Sequence, residues 1–155
     1  MSETAPKRIV LASDHAGFVM KSHLVSFLKS KGHEVLDVGT HSDERTDYPD
    51  HAHNAARAVL SGDADLGVLV CGSGNGVQMS ANKHEGIRCG LAWTTEIAEL
   101  ARQHNDANMI ALPARFIAEE LASEIVEGFI GAEFEGGRHA QRVEKIALTN
   151  SETVK

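Results

Sequence analysis

Leu66-Gly67-Val68-Leu69-Val70-Cys71-Gly72-Ser73-Gly74-Asn75-Gly76-Val77-Gln78-Met79-Ser80-Ala81-Asn82 decides the fold. Its first five residues form a short apolar run of the kind that makes a buried strand. Its last six read as the start of a helix. Between them, glycines at alternate positions turn the chain tightly and leave backbone N–H groups unpaired. Those groups, with the positive end of the helix behind them, predict an anion site. Cys71 stands at the rim of that turn, where the same field favours a thiolate.

The strand–turn–helix pattern repeats on both sides. Ile9 to Ala12 reads as a strand ending at Ser13-Asp14-His15. Met20, Leu24, Phe27 and Leu28 then recur at helical spacing, with Gly32 as the stop. Glu34 to Val38 is a second strand, and residues 40–50, with Tyr48-Pro49 near their end, read as a loop. Ala52, Ala55, Ala56, Val59 and Leu60 mark a helix closed by Gly62. Beyond the glycine turn come a strand over Ile87 to Ala92 and a helix capped by Thr94 or Thr95 that carries Ile97, Leu100 and Ala101. A fifth strand spans Met109 to Leu112, and Ile117, Leu121, Ile125 and Phe129 line a long helix. A last helix runs from Arg138 to about Thr149, and the ends, Met1 to Pro6 and Asn150 to Lys155, are polar.

Short apolar strands alternating with helices predict an α/β fold: a three-layer, doubly wound sheet of about five parallel strands, Rossmann-like or flavodoxin-like. The apolar residues, 42% of 155, are spread evenly, so residues 1–155 read as a single domain. In the flavodoxin-like order 2-1-3-4-5, the switch point falls between strands one and three. That order sets Ser13-Asp14-His15 beside Cys71 to Gly76.

A net charge of -7 argues against a nucleic-acid partner. No apolar run approaches the ~20 residues of a membrane helix. Two cysteines make no disulfide framework, so both thiols are expected reduced and the chain cytoplasmic. Of the two, Cys89, within a strand, reads as a core thiol, and Cys71 as a functional one. The glycine spacing is not that of a dinucleotide fingerprint, and no lysine stands where a phosphate-binding loop needs one. Asp50-His51-Ala52-His53 is the nearest approach to metal-ligand spacing, and neither metal nor organic cofactor is expected.

Among nine histidines, His15 and His104 have distinctive settings. His15 follows the first strand. His104 closes a helix, where either the dipole or acid–base work explains it. Arg138 and Arg142 are four apart and share a helix face, suited to a phosphate dianion or to pairing with Glu135 or Glu144. Arg115, expected at the start of the long helix, is a third candidate cation.

Taken in order, Ser13-Asp14-His15-Ala16-Gly17, Arg45-Thr46-Asp47-Tyr48-Pro49, Cys71 to Gly76, Ala81-Asn82-Lys83, Gly86-Ile87-Arg88, Arg102-Gln103-His104-Asn105-Asp106, and Glu135-Gly136-Gly137-Arg138-His139 with Gln141-Arg142 resemble the type B ribose-5-phosphate isomerase family. Its wider membership includes allose- and galactose-phosphate isomerases. The resemblance spans about residues 8–148 and implies an aldose–ketose isomerase of D-ribose 5-phosphate and D-ribulose 5-phosphate. It implies Cys71 as the base, Gly72, Ser73, Gly74, Asn75 and Gly76 as the enediolate loop, and His104 as the ring-opening residue. Asp14, His15, Tyr48 and Asn105 match sugar-contacting or ring-opening positions, and Arg115, Arg138 and Arg142 match phosphate-side positions. Ser73 is a further candidate for moving a proton between sugar oxygens. The resemblance also implies a homodimer or dimer of dimers with shared sites, the helix at 138–149 reaching a partner subunit. One branch of the family uses a glutamate shortly after the glycine loop. The loop here reads like that branch, yet Gly76-Val77-Gln78 supplies no carboxylate, which leaves Cys71. A six-carbon sugar phosphate isomerase, or a non-catalytic sugar-phosphate-binding regulator, are the alternatives.

Overall fold

Strand residues alternate between two apolar layers, and that alternation builds the molecule. The computed structural model describes residues 4–148. Five parallel strands form one sheet: β1 (Arg8–Ser13), β2 (Glu34–Asp37), β3 (Leu66–Cys71), β4 (Cys89–Leu91) and β5 (Met109–Pro113). Helices α1 (Phe18–Ser30), α2 (Tyr48–Ser61), α3 (Asn75–Ala81), α4 (Thr95–Asn105), α5 (Glu119–Gly131) and α6 (Arg138–Glu144) follow in turn. Ile9, Leu11, Val68, Val70, Ile110 and Leu112 pack against α1 and α5, with Ala98 of α4 joining them. Val10, Ala12, Leu69, Cys71, Met109 and Ala111 face α2 and α3. The second layer is rich in alanine (Ala52, Ala55, Ala56, Ala81), whose small side chains let the helices approach the sheet closely.

The α/β doubly wound class is as the sequence predicts, but the strand order is β2-β1-β3-β5-β4, not 2-1-3-4-5. The reason is burial. All five residues of β5 are buried, whereas β4 has three residues, of which two are partly exposed. A short, half-exposed strand belongs at an edge. The switch between β1 and β3 is unaffected.

Four local expectations change. Tyr48 and Pro49 do not end a loop; they open α2, where proline's fixed φ and missing N–H suit the first turn. The fourth strand is Cys89–Leu91, not residues 87–92. Arg115 does not start the long helix; it lies in the turn between β5 and α5. Helix α6 stops at Glu144. Its expected continuation carries Ile146 and Leu148, which are 54% and 83% exposed, so little burial offsets the cost of a further turn. The end of that expected helix, at Thr149, lies outside the described residues.

Lys21 interrupts the apolar face of α1, and its side chain is completely buried. Nζ donates to Asp37 Oδ1 and to the Thr40 carbonyl, each at 2.5 Å. The ammonium thereby ties α1 to the end of β2 and the chain beyond it. An unpaired buried charge of this kind costs about 3–5 kcal/mol.

His53 of α2 and His84, after α3, join these two helices, with Nδ1 and Nε2 2.6 Å apart. Burial, then the neighbouring His53, push His84 below the ordinary imidazole range. The unfolded chain therefore binds a proton at His84 more readily than the folded one. That contribution to stability is complete above the unfolded value, about 6.5, and is lost as pH falls toward the folded value. The melting temperature should drop as pH falls below about 7, and less steeply in His84→Gln. Equal slopes for the two proteins would show that this pair does not carry the effect.

Candidate active site

Ser13 pairs with Val70 across β1 and β3, so Ser13-Asp14-His15 lies against Cys71-Gly72-Ser73. Both clusters stand at the carboxyl ends of strands, where doubly wound sheets hold their ligands. Asp14 is 7% exposed, and its Oδ1 accepts the Gly17 N–H at 3.0 Å. Gly17 crosses so near β3 that a Cβ there would lie 2.5 Å from the Val70 carbonyl oxygen, so the position admits only glycine. His15 Nδ1 accepts the Thr46 N–H at 3.2 Å, which places the proton of the neutral ring on Nε2.

Cys71 ends β3 and is 5% exposed. Its carbonyl accepts from Ala114 N–H at 2.9 Å, and the Gly72 carbonyl accepts from Arg115 N–H at 3.0 Å. The turn after β5 is thus bound to the glycine loop. The Arg115 guanidinium lies over Gly72, since a Cβ there would be 3.1 Å from Nη1. Gly74, at φ +79°, is the cap of α3, a conformation that favours glycine. The Ser73 hydroxyl accepts from Asn75 N–H at 3.2 Å. The first bond within α3 is Gln78 N–H to the Gly74 carbonyl, so the Gly76 and Val77 N–H groups precede it and have no acceptor inside the helix. Tyr48 rests on this loop: a Cβ on Gly76 would meet its ring at 2.5 Å.

One chain therefore brings together Asp14, His15, Tyr48, Cys71, the loop Gly72–Gly76 and Arg115. It does not bring His104, Asn105, Arg138 or Arg142 to them. Helix α4 runs back along the sheet, and its last turn lies at the amino ends of β4 and β5. There the Arg88 guanidinium donates to Asp106, and the Arg88 N–H donates to Asn108 Oδ1 at 2.9 Å. At about 3.3 Å per residue, the length of a strand such as β3 separates the two ends by roughly 17 Å.

At the far end His104 stacks on His139 of α6, with centroids 4.2 Å apart and planes 12° from parallel. Glu135 Oε1 lies 3.7 Å from Nε2 of each ring. Burial, then His104, push His139 below the ordinary imidazole range. The sequence offers Glu135 only as a partner for the α6 arginines and gives His139 no role of its own, although the two stand four apart around Gly136-Gly137. Lys21 carries no signal in the sequence, and His51 stands out there only for its spacing to Asp50 and His53; in the fold both bond to segments that flank the crevice. His51 Nε2 lies 2.9 Å from Thr46 Oγ1, in the segment that holds His15. Cys89 is a core thiol as expected, and burial pushes it well above the ordinary thiol range.

A thiol, a glycine loop opening a helix and a guanidinium over that loop meet at the switch point of a doubly wound sheet, which defines an α/β protein with a candidate anion site beside a cysteine. More particularly, the chain belongs to the ribose/galactose isomerase family, which matches residues 9–146. It is 48% identical to the ribose-5-phosphate isomerase B of Escherichia coli over 140 residues, 90% of this chain and 94% of that one. The Clostridium thermocellum ribose-5-phosphate isomerase B structure superimposes with TM-score 0.89 at 46% identity, covering 90% and 94% of the two chains. That of Mycoplasma genitalium, with bound ribulose 5-phosphate, gives 0.88 at 42% identity, covering 94% and 97%. No helix among the described residues is long and apolar enough to cross a membrane.

Tyr48 is the single tyrosine of the chain, which makes its seat on Gly76 directly testable. In Gly76→Ala the new methyl group displaces the ring, while the melting temperature changes by only a few degrees because Tyr48 is 41% exposed. Fluorine NMR of fluorotyrosine-labelled protein should show a shifted resonance. An unchanged resonance would mean that the ring does not pack there.

Proposed function

We propose that this chain interconverts D-ribose 5-phosphate and D-ribulose 5-phosphate, with Cys71 as the base. The observation that carries this reading is the placement of Cys71 beside the Gly72–Gly76 loop, in a chain of this family. The sugar must first open its ring, and His104, with Asp14, moves that proton. The hydrogen on C2 of the open aldehyde is weakly acidic because its removal places charge on the carbonyl oxygen. Donors fixed before the reaction stabilise that charge, and one such donor typically contributes ~3 kcal/mol. The Gly76 and Val77 N–H groups, without acceptors inside α3, are suited to the task. Cys71 carries the proton between C2 and C1, and Ser73 serves the exchange between the sugar oxygens. Asp14, His15, Tyr48, Asn75 and Asn105 hold the sugar. The phosphate takes no part in bond making. Its guanidinium contacts, Arg115, Arg138 and Arg142, position the reacting carbons, and such remote binding lowers the barrier at the reacting centre. Neither metal nor organic cofactor enters these steps.

The two ends of one sheet supply two halves of this site. A homodimer, alone or within a dimer of dimers, completes it by setting His104, Asn105, Arg138 and Arg142 of one protomer against the Cys71 crevice of the other. The separation of about 17 Å within a chain supports that arrangement.

Purified protein with chelator present should form ribulose 5-phosphate from ribose 5-phosphate, and Cys71→Ala should lose turnover while retaining phosphate-ester binding. Near-wild-type turnover by Cys71→Ala would remove the thiol as base, and turnover confined to six-carbon phosphates would reassign the substrate. Shared sites have a separate test. Cys71→Ala and His104→Ala, each inactive, are unfolded and refolded together. Hybrid dimers hold one intact site of two, so the mixture should regain roughly a quarter of wild-type activity. No recovery would place both residues in a site of one chain.

A further inference from the structure

We propose that His104, Glu135 and His139 form a binding site for a zinc-like divalent transition-metal ion, and that the ion inhibits the enzyme by occupying His104. The inhibition rests on the role assigned to His104 above, whereas the binding does not. Three elements converge on the site. His104 closes α4, His139 lies on α6, and Glu135 stands in the segment between α5 and α6. The Glu135 N–H donates to the Gln103 carbonyl at 3.0 Å, which fixes that segment against α4 beside His104. One ligand atom from each residue lies within 4.8 Å of the others.

Two imidazoles and a carboxylate form an established donor set for zinc, with metal–ligand bonds of about 2.0–2.2 Å. In a tetrahedral site such bonds put ligand atoms about 3.4 Å apart. The two distances from Glu135 Oε1 to the ring nitrogens are both 3.7 Å, so the carboxylate needs to move only slightly. The rings must move more. Stacked at 12°, their lone pairs run side by side, and binding requires them to fan toward one point. The His104 side chain, 39% exposed, is free to tilt, while that of His139, 11% exposed, stays anchored. Burial, then His104, lower the proton affinity of His139, which favours the form whose lone pair a metal can take. Arg138 and Arg142, which also face His139, oppose a dication. Half-saturation is therefore expected at micromolar, not nanomolar, free metal. Three protein ligands leave a fourth position for water.

Cobalt(II) is the probe, because tetrahedral coordination gives it intense visible absorption. Titration of the metal-free full-length protein should show one such site per chain, displaced by zinc. His104→Ala should abolish the bands and Glu135→Gln should weaken binding at least tenfold. Cys71→Ala and His84→Gln should leave binding unchanged, since neither the thiol nor the His53–His84 pair takes part. Zinc should inhibit isomerisation of ribose 5-phosphate with the same half-saturation, reversibly by chelator, and with a tenfold weaker effect on Glu135→Gln. Unchanged binding in Glu135→Gln, or loss of the bands in Cys71→Ala or His84→Gln, would overturn the site. Binding as expected, with zinc leaving turnover unaffected, would overturn the inhibition. Binding as expected in a protein with no isomerase activity would overturn the function proposed for the chain and leave the metal site standing.

Discussion

The parallel pairing of β1 with β3 is the constraint on which the rest of the molecule depends. It is a non-local contact, Ile9 opposite Leu66 through Ser13 opposite Val70, between strands separated in sequence by β2 and two helices. It makes the switch point and sets Asp14 beside Cys71. It also explains Gly17, because α1 leaves β1 across the face of β3 and no side chain fits between that glycine and the Val70 carbonyl. The carboxylate of Asp14 is then held by the N–H of the residue that makes the crossing.

The rest of the crevice is secured by polar contacts, most of them partly buried. Lys21 gathers Asp37 and the Thr40 carbonyl, Thr46 gathers His15 and His51, and Arg115 reaches the glycine loop through its own backbone. Charges in such places stabilise little in net terms, since desolvation offsets most of the attraction. Their value lies in direction. Each fixes a loop that apolar contacts alone would leave free to take several arrangements, and a site that stabilises a transient charge requires its donors to be in place beforehand.

The proposed site is divided between the two ends of the sheet, and each end has a different electrostatic character. At the carboxyl ends of the strands are the thiol, backbone N–H groups and one guanidinium. At the amino ends are two stacked imidazoles, a carboxylate and the α6 arginines. The second group gathers positive charge on an acidic chain of net charge -7. That concentration suits the phosphate of the proposed substrate, and it also lowers the affinity expected for a metal dication.

The sequence by itself determined the fold class and the contents of the crevice. Apolar runs of strand length, helical spacing and glycine stops are local signals, and they placed five strands and the Cys71–Gly76 turn within a few residues. Their positions at strand ends made Asp14, His15 and Cys71 legible as site residues. Only the tertiary structure decided that β5 lies inside and β4 at the edge, because burial on both faces is a property of the assembled sheet. It also decided that Lys21 is buried, against the exposed position its charge suggests, since the partners that permit this come from β2 and the loop after it. Lastly, it put His104 with Glu135 and His139 at the end opposite Cys71. Motif order along a chain carries no record of which end of a strand a helix returns to, and that direction is fixed only when α4 packs back along the sheet.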